Sequence, residues 1–418
     1  MPRLDPAATD VSIELDGQPW PAKAGEPVAC SLVAAGEPLF SRSVKYHRPR
    51  GAYCFAAACS SCLMRVDGVP NVFTCRTPAR EGMRLERQNA FPSARLDVFA
   101  VTDWVFPNGM NHHEMFAGVP VAQDVMAVVA RKLAGLGQLP DGPGIEREPA
   151  RVEHVDLAVV GGGVSGVAAS QALLERGVDH VVLERESFIG GRAAYGVPES
   201  HGVELPLPSP RVRFGHNVMG LFEDGGGRFL AVIASERLLK LYARRLLITV
   251  GSHPPLPAFG NNDLPGIYAA RAVSRMIRRH RVLPGQRIAV VGEPGEAARL
   301  AGLIESCGGE PVAVGLEPVA AHGLGEVSAI EVKRQGETLK VACDAVAVAS
   351  NGSPAFELAR QGGARVVFDG ARFVVEADGD GRTAHPGVFV AGEQTGPCSV
   401  RESQERGRRA AITLERTP

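Results

Sequence analysis

Residues 11 to 22, VSIELDGQPWPA, alternate apolar and polar positions on either side of Asp16-Gly17, which predicts two strands joined by a tight hairpin. Next, AGEPVACSLVAAG carries apolar residues at helical spacing and closes on Gly36, predicting a short helix with Cys30 on its buried face. LMRVDG reads as a strand, and Cys75 is expected on another short strand. From about 100 to 152 the pattern weakens. DWVFPNGMNHHEMFAG reads as a loop or short helix, VAQDVMAVVARKLAGLG as amphipathic, and QLPDGPGIEREPARVE as a polar, Pro/Gly-rich linker. A buried strand at Leu157 to Val160 follows, then a helix and a second strand ending at Glu184. GQRIAVVGEPGEAARLAGLIESCGGEPVAVG repeats the order strand, turn, helix, strand.

This order predicts an α/β multidomain chain: a β-grasp ferredoxin-like domain over 1–100, a helical bridge and linker over 101–152, and a dinucleotide-binding domain assembled from 153–258 and 341–418. A second, degenerate Rossmann-like domain is expected over 259–340. At 418 residues the chain is long enough for two or three such domains. Lysine plus arginine number 45 against 46 acidic residues, a formal charge of -1, which argues against nucleic acid because binding it relies on clustered cations. Arg275 to Arg281 and Arg406 to Arg409 are short basic runs that read as solvated helix faces. No apolar run approaches the roughly 20 residues of a bilayer span. MPRLDPAATD also lacks the apolar core of a signal peptide, so a cytoplasmic protein is expected. His112 and His113 are adjacent, point apart on any regular element, and read as surface residues rather than ligands of one metal. No nucleophile, base and acid for hydrolysis stand together in the sequence, and the catalytic residues stay unassigned.

In the expected reducing compartment, gathered cysteines mean metal rather than disulfides. Four of the eight fall within the 22 residues from Cys54 to Cys75. Cys54, Cys59 and Cys62 stand in the C-x4-C-x2-C spacing of plant-type ferredoxins, with Cys75 as a fourth thiolate, which points to a [2Fe-2S] cluster. Zinc and inert buried thiols are the other readings. Zinc usually takes two C-x2-C knuckles, and here there is one. Ferredoxin loops are usually glycine-rich because backbone N-H groups must turn toward sulfur, yet here those places hold Phe55, Ala56, Ala57, Ala58, Ser60 and Ser61.

Gly161, Gly163 and Gly166 form G-x-G-x-x-G between the buried strand and its helix. The first glycine serves the tight turn, the second lets a pyrophosphate approach, and the third lets helix and strand pack closely. Glu184 is placed to accept from ribose hydroxyls. Gly190, Gly191 and Arg192 follow the acid, RRLLITVGSHPPLP brings Gly251, and PGVFVAGEQTG brings Gly392 and Glu393. These strings resemble those of flavoproteins with two dinucleotide-type folds, and the resemblance implies that Glu393 stands where an aspartate usually holds the ribityl chain. In the second fold Gly292 is followed by Pro294 in place of the second glycine and Ala297 in place of the third. Proline has a ring and no N-H, so a retained scaffold is expected there rather than NAD(P) binding.

The strings SRSVKYHRPRG at 41–51, FGNNDLPGIYAARAV at 259–273, and HPGVFVAGEQTG with RESQERGRRAA near the C-terminus resemble one family. It comprises the alpha subunits of heterotetrameric sarcosine oxidase and their relatives in opine oxidases, hydrogen cyanide synthase and multi-subunit proline or hydroxyproline dehydrogenases. Sarcosine oxidase alpha subunits have a ferredoxin-like domain without cysteine ligands and a long C-terminal folate-binding half, and this chain departs from both. The resemblance implies an electron-transfer subunit of a flavin-dependent amine or amino-acid oxidase or dehydrogenase acting on CH-NH donors. It implies a hetero-oligomer with an FAD-dependent oxidase-type beta subunit, a quinone or cytochrome acceptor, and FMN at a subunit interface. The first nucleotide site takes FAD in this reading, with ATP and NAD as the other ligands seen among relatives. Rival readings are a self-sufficient NAD(P)H-dependent reductase and a non-catalytic nucleotide-binding scaffold. The basic string Lys45, His47, Arg48 and Arg50 either holds a phosphate or forms a solvated turn.

Overall fold

The computed structural model describes residues 3–5, 10–105, 118, 119, 121, 122, 124, 125, 128, 148–195, 210–234 and 237–417. His112, His113 and most of the expected bridge at 101–152 lie outside these residues. The chain divides into two compact units, Met1–Pro143 with Leu256–Ser350, and Gly144–Pro255 with Asn351–Pro418.

In the first unit, Val11–Leu15 and Gln18–Ala22 pair as the expected hairpin. Asp16 and Gly17 both take positive φ, 51° and 80°, the backbone of a two-residue turn matched to strand twist. Five strands form a sheet in the order Gln18–Ala22, Val11–Leu15, Arg84–Glu86, Leu63–Val66, Val69–Phe73, with Val11–Leu15 running parallel to Arg84–Glu86. The helix Val28–Ala34 is buried at every position, which puts Cys30 inside. Cys75 departs from its expectation: the strand ends at Phe73 and Cys75 sits on the turn beyond it.

The same unit holds a four-stranded parallel sheet in the order Ile267–Ala269, Ala345–Ala349, Arg287–Gly292, Glu310–Val312, with the helix Pro294–Ser306 crossing between the last two. A three-stranded antiparallel sheet, Glu317–His322, Ala329–Arg334 and Glu337–Ala342, completes it. One hydrophobic core runs from Ile13, Phe40 and Met64 of the β-grasp sheet to Val273, Ile288 and Val346 of the Rossmann-like one. Segments that the pattern separates into two domains therefore share a core. Phe55 and Tyr268 stand 6.3 Å apart between ring centres, and Ala269 N-H donates to the Tyr53 carbonyl at 3.1 Å. A Cβ on Gly51 would come within 2.5 Å of the Pro38 carbonyl oxygen and 3.0 Å of Pro265 Cα, so only glycine fits this approach.

Two family strings meet at this junction. Arg48 and Arg50 both reach Asp263, at 3.3 and 3.4 Å, and Arg48 also donates to Asn261 Oδ1 at 3.1 Å. His47 is buried with its Nδ1 2.7 Å from Asp97. The string forms a turn with Lys45 exposed, but its solvated reading holds only in part: two arginines pair with an aspartate more than 200 residues away, and its histidine is interior.

The second unit is built on a seven-stranded sheet. Its parallel core places Val212–Arg213, Val181–Leu183, Arg151–Val160, Arg237–Ile248 and Val388–Val390 side by side. The long strand Arg237–Ile248 also pairs antiparallel with Gly227–Ala234, which pairs with His216–Asp224. The first strand begins at Arg151, inside the segment read as linker, because its first five residues pair with Arg237–Ile248 while only its last four are buried. Helices Val164–Glu175 and Val400–Glu415 cross closely, and a Cβ on Gly407 would lie 2.1 Å from the Ser165 carbonyl oxygen.

Candidate functional sites, one in each unit

In the first unit the cysteine loop brings four thiols together in two pairs. Cys54 hydrogen-bonds with Cys59, and Cys62 with Cys75. Among the described residues no three of these sulfurs lie mutually within 4.8 Å. A tetrahedral zinc ion, with Zn-S near 2.3 Å, would draw all four to about 3.8 Å from one another. Two pairs fit two metal centres better than one. Within each pair the shared hydrogen bond, together with burial, pushes Cys54 and Cys75 up, while the same bond holds Cys59 and Cys62 below the usual thiol range.

The loop does without glycine by strain. Phe55, Ala57 and Ser60 take φ of 49°, 53° and 56°, the left-handed region that costs an L-residue of order 1 to 3 kcal/mol. The result is a set of inward N-H groups: Ala56 and Ala58 donate to Cys54 Sγ at 3.3 Å, Ala57 to Cys75, and Ser61 to Cys59. Such donors stabilise sulfur that carries negative charge, and hydrogen bonds to sulfur tune a cluster's potential. The donor set therefore fits a [2Fe-2S] group.

Elsewhere in this unit Glu26, Cys30 and His280 also bring ligand atoms within 4.8 Å of one another. There the guanidinium of Arg3 already neutralises Glu26, at 2.5 and 3.1 Å, and Ser31 donates to it at 2.6 Å. A paired, hydrogen-bonded carboxylate accounts for that cluster without a metal.

In the second unit the glycines of the fingerprint divide their work. Gly161 has φ of 102° and a Cβ there would meet the Thr249 carbonyl oxygen at 2.7 Å, while one on Gly166 would meet the Gly161 carbonyl oxygen at 1.9 Å. A Cβ on Gly163 meets nothing within 4 Å. Two glycines are thus required by the fold, and the third leaves open space. Gly163 also starts the helix Val164–Glu175 with no side-chain cap, so its first N-H groups keep their partial positive charge for an anion.

Around this opening the structure brings together the remaining residues singled out from the sequence. Glu184 is buried and accepts from Gly162 N-H at 2.6 Å and Glu186 N-H at 2.7 Å. Burial raises its carboxyl above the usual range, and those two backbone bonds oppose the rise. Gly190 bridges to Gly163, and Gly191 approaches it so that an added Cβ would lie 3.2 Å from Gly163 Cα. Arg192 pairs with Glu393 at 2.8 Å. The other oxygen of Glu393 accepts from Ser252 Oγ at 2.8 Å and lies 3.9 Å from the Cβ that Gly251 lacks. Gly392, with φ of 86°, has room for no Cβ beside Ser165 Oγ, 2.5 Å away.

Three residues of this site escaped the sequence reading. Ser252 directly follows Gly251 and reaches Glu393, and Thr249 donates to the carbonyls of Val160 and Gly161 at 2.9 and 2.8 Å, fixing the turn. Arg406, read as part of a solvated face, instead donates to Thr395 Oγ1 at 3.0 Å and to the carbonyls of Gly392 and Gly396 at 3.4 Å. It clamps the turn that carries Glu393. Arg275 likewise departs from a solvated reading, being buried, whereas Arg408 and Arg409 do form exposed ion pairs with Glu175 and Asp380.

The second turn, Gly292 to Ala297, keeps the shape without the opening. Gly292 has φ of 102° and packs on the Ala349 carbonyl as Gly161 packs on Thr249. Glu293 then folds its carboxylate over the helix start and accepts from Gly295 N-H at 3.0 Å and Glu296 N-H at 2.5 Å. Pro294 occupies the first helical position. The place where a phosphate would sit is filled by the chain's own anion.

Comparisons with known proteins agree with this layout. The 2Fe-2S iron-sulfur cluster binding domain matches residues 8–90, which include all four loop cysteines, and the NAD(P)-binding Rossmann-like domain matches residues 159–224. Sarcosine oxidase subunit alpha of Rhizobium meliloti is 28% identical over 437 residues, covering 91% of this chain, and the chain spans 43% of that relative. Hydrogen cyanide synthase subunit HcnA of Pseudomonas aeruginosa is 39% identical over 80 residues, 19% of this chain and 76% of the relative. Among solved structures, L-proline dehydrogenase from P. horikoshii superposes with a TM-score of 0.73 at 19% identity, covering 99% of this chain and 75% of that one, which shows a shared fold. No helix among the described residues is long and apolar enough to cross a membrane. A 2Fe-2S domain followed by a Rossmann-like dinucleotide-binding module is an oxidoreductase architecture, and the matched N-terminal domain is one that binds a [2Fe-2S] cluster. The chain belongs to the alpha-subunit family of sarcosine oxidase and hydrogen cyanide synthase.

Proposed function

We propose that this chain is the electron-transfer subunit of a multi-subunit flavin-dependent amine or amino-acid oxidase or dehydrogenase. The observation that carries this reading is the cysteine loop, with its two sulfur pairs and N-H donors, in a chain that also keeps an uncapped dinucleotide turn. Cys54 and Cys59 would hold one iron and Cys62 and Cys75 the other. Gly161, Gly163, Gly166 and Glu184 would receive the adenosine and pyrophosphate of FAD, with Arg192, Gly251, Gly392 and Glu393 on its ribityl and flavin side. A flavin exchanges two electrons together or singly, while a [2Fe-2S] group exchanges one at a time.

The residues of this chain contribute binding and electrostatics. Inward N-H groups offset negative charge at sulfur, the bare helix N-terminus offsets pyrophosphate charge, and Arg192 and Ser252 hold Glu393 in one orientation. The hydride on the carbon next to the amine nitrogen is taken, in this reading, by an FAD-dependent beta-type subunit, which leaves an imine, and a quinone or cytochrome receives the electrons. The self-sufficient reductase is disfavoured by Glu293 and Pro294, which leave no opening for NAD(P)H at the second turn.

The test is anaerobic addition of amine substrate to the assembled complex, read by the paramagnetic signal of the reduced cluster. Reduction within turnover, with no amine oxidation by the isolated chain, is expected. Amine oxidation by the chain alone, bleaching by NADH or NADPH, or a cluster that substrate never reduces would overturn it.

A further inference from the structure

A buried ion pair stands close to the cysteine loop. Arg3 and Glu26 are 9% and 4% exposed, and their side chains meet at 2.5 and 3.1 Å. Ser31 Oγ donates to the same carboxylate at 2.6 Å. Taking two charges out of water costs about as much as their attraction returns, and apolar residues in their place are often no worse for stability. Stability alone therefore does not account for the pair.

The segment that carries Glu26 is bonded to the turn of Cys75. Val28 N-H donates to the Thr77 carbonyl at 2.9 Å and Ala29 N-H to the Thr74 carbonyl at 3.1 Å, on either side of that cysteine. Ala79 N-H donates to the Glu26 carbonyl at 2.7 Å. Cys30, wholly buried, links the two regions: its sulfur, the Glu26 carboxylate and a His280 ring nitrogen lie within 4.8 Å of one another. Burial pushes the Cys30 thiol up, Glu26 and Cys75 add to the rise, and Arg275 and Arg3 oppose it. Cys30 thus feels both the ion pair and a cysteine of the loop, and of the pair it feels Glu26 the more.

We infer that the Arg3–Glu26 pair sets the reduction potential of the [2Fe-2S] cluster, by charge held in the core beside the Cys75 turn. The inference rests on the cluster that the proposed function places at this loop. A reduced cluster carries one more negative charge, so a lone carboxylate nearby disfavours reduction and a lone guanidinium favours it, the more strongly in a low dielectric. The two charges reach the site from separate stretches. Arg3 arrives on a segment whose Leu4 N-H donates to the Arg281 carbonyl at 2.8 Å, and Glu26 precedes the buried helix Val28–Ala34.

The experiment is a redox titration of the purified full chain, cluster loaded and at fixed pH, followed by the paramagnetic signal of the reduced cluster. Glu26→Gln leaves Arg3 alone and should raise the ratio of reduced to oxidised cluster about threefold or more at the parent's midpoint, ~30 mV for one electron. Arg3→Met leaves Glu26 alone and should lower that ratio by a similar factor. Arg80→Ala, which breaks an exposed pair with Asp67 on the same unit, should leave it unchanged. Where a single variant does not fold, Arg3→Met combined with Glu26→Gln leaves no lone charge. That paired variant should keep the parent's iron content and circular dichroism and titrate above it, because Glu26 is the charge nearer Cys30. A pair that serves only as a staple would lower the melting temperature in both single variants without moving the potential in opposite directions. Shifts of one sign in both, or an unmoved potential in a folded, iron-loaded Glu26→Gln or paired variant, would overturn the inference and leave the proposed function standing. A parent that binds no iron would overturn the proposed function, and this inference with it.

Discussion

The two dinucleotide-type turns begin alike and end differently. Gly161 and Gly292 share φ of 102°, each pressed against a carbonyl of the neighbouring strand, and each leads into a helix of 12 or 13 residues. One step later Gly163 leaves open space before an uncapped helix, whereas Glu293 and Pro294 close the other. Ala297 shows the same relaxation, since the Cβ that Gly166 has no room for is accommodated there in the core. The first glycine answers to the fold, and the second leaves the opening in which the proposed nucleotide would sit; the second turn keeps only the first.

The largest effects separate those two roles. Gly166→Val places a branched side chain against a carbonyl 1.9 Å from its Cβ, and the second unit should fail to fold, read as lost soluble yield and circular dichroism. Gly163→Val should fold normally, with an unchanged melting temperature, yet retain no nucleotide through gel filtration. Equal loss of fold in both would break the distinction.

Next come the groups that hold the opening. Glu184→Ala removes a buried acceptor from Gly162 and Glu186 N-H groups and should weaken nucleotide binding by about 1.5–3 kcal/mol, measured by calorimetric titration. Arg406→Ala should weaken it by about 1–2 kcal/mol, because the Gly392 to Gly396 turn loses its clamp, and Arg406→Lys should restore part.

The smallest effect lies at the closed turn. Glu293→Ala removes a cap that satisfies two N-H groups and should cost about 1 kcal/mol in stability by urea denaturation. It should gain no measurable NADH binding, since Pro294 remains.

Much of this was legible in the residues because the relevant geometry is local. G-x-G-x-x-G after a buried strand and the C-x4-C-x2-C spacing each specify a turn and its contents within about 20 residues. Pro294 already marked the second turn as closed. What stayed hidden is set by distant partners. Phe55, Ala57 and Ser60 have no left-handed preference, and the conformation is imposed on them by the loop that holds the cysteines. Arg48 and Arg50 look like a basic patch until Asp263 is found across more than 200 residues, and Arg406 looks solvated until the turn at Gly392 folds beneath it. The start of the strand at Arg151 was masked by its polar, half-exposed first residues.

The most direct test is identification and counting of the nucleotide released when the purified protein is denatured, in the parent and in Gly163→Val. One FAD per chain, absent from Gly163→Val, with no nicotinamide nucleotide, is the expected result. Two nucleotides per chain, NAD(P) in place of FAD, or FAD retained by a folded Gly163→Val would contradict the assignment of an open first turn and a closed second one.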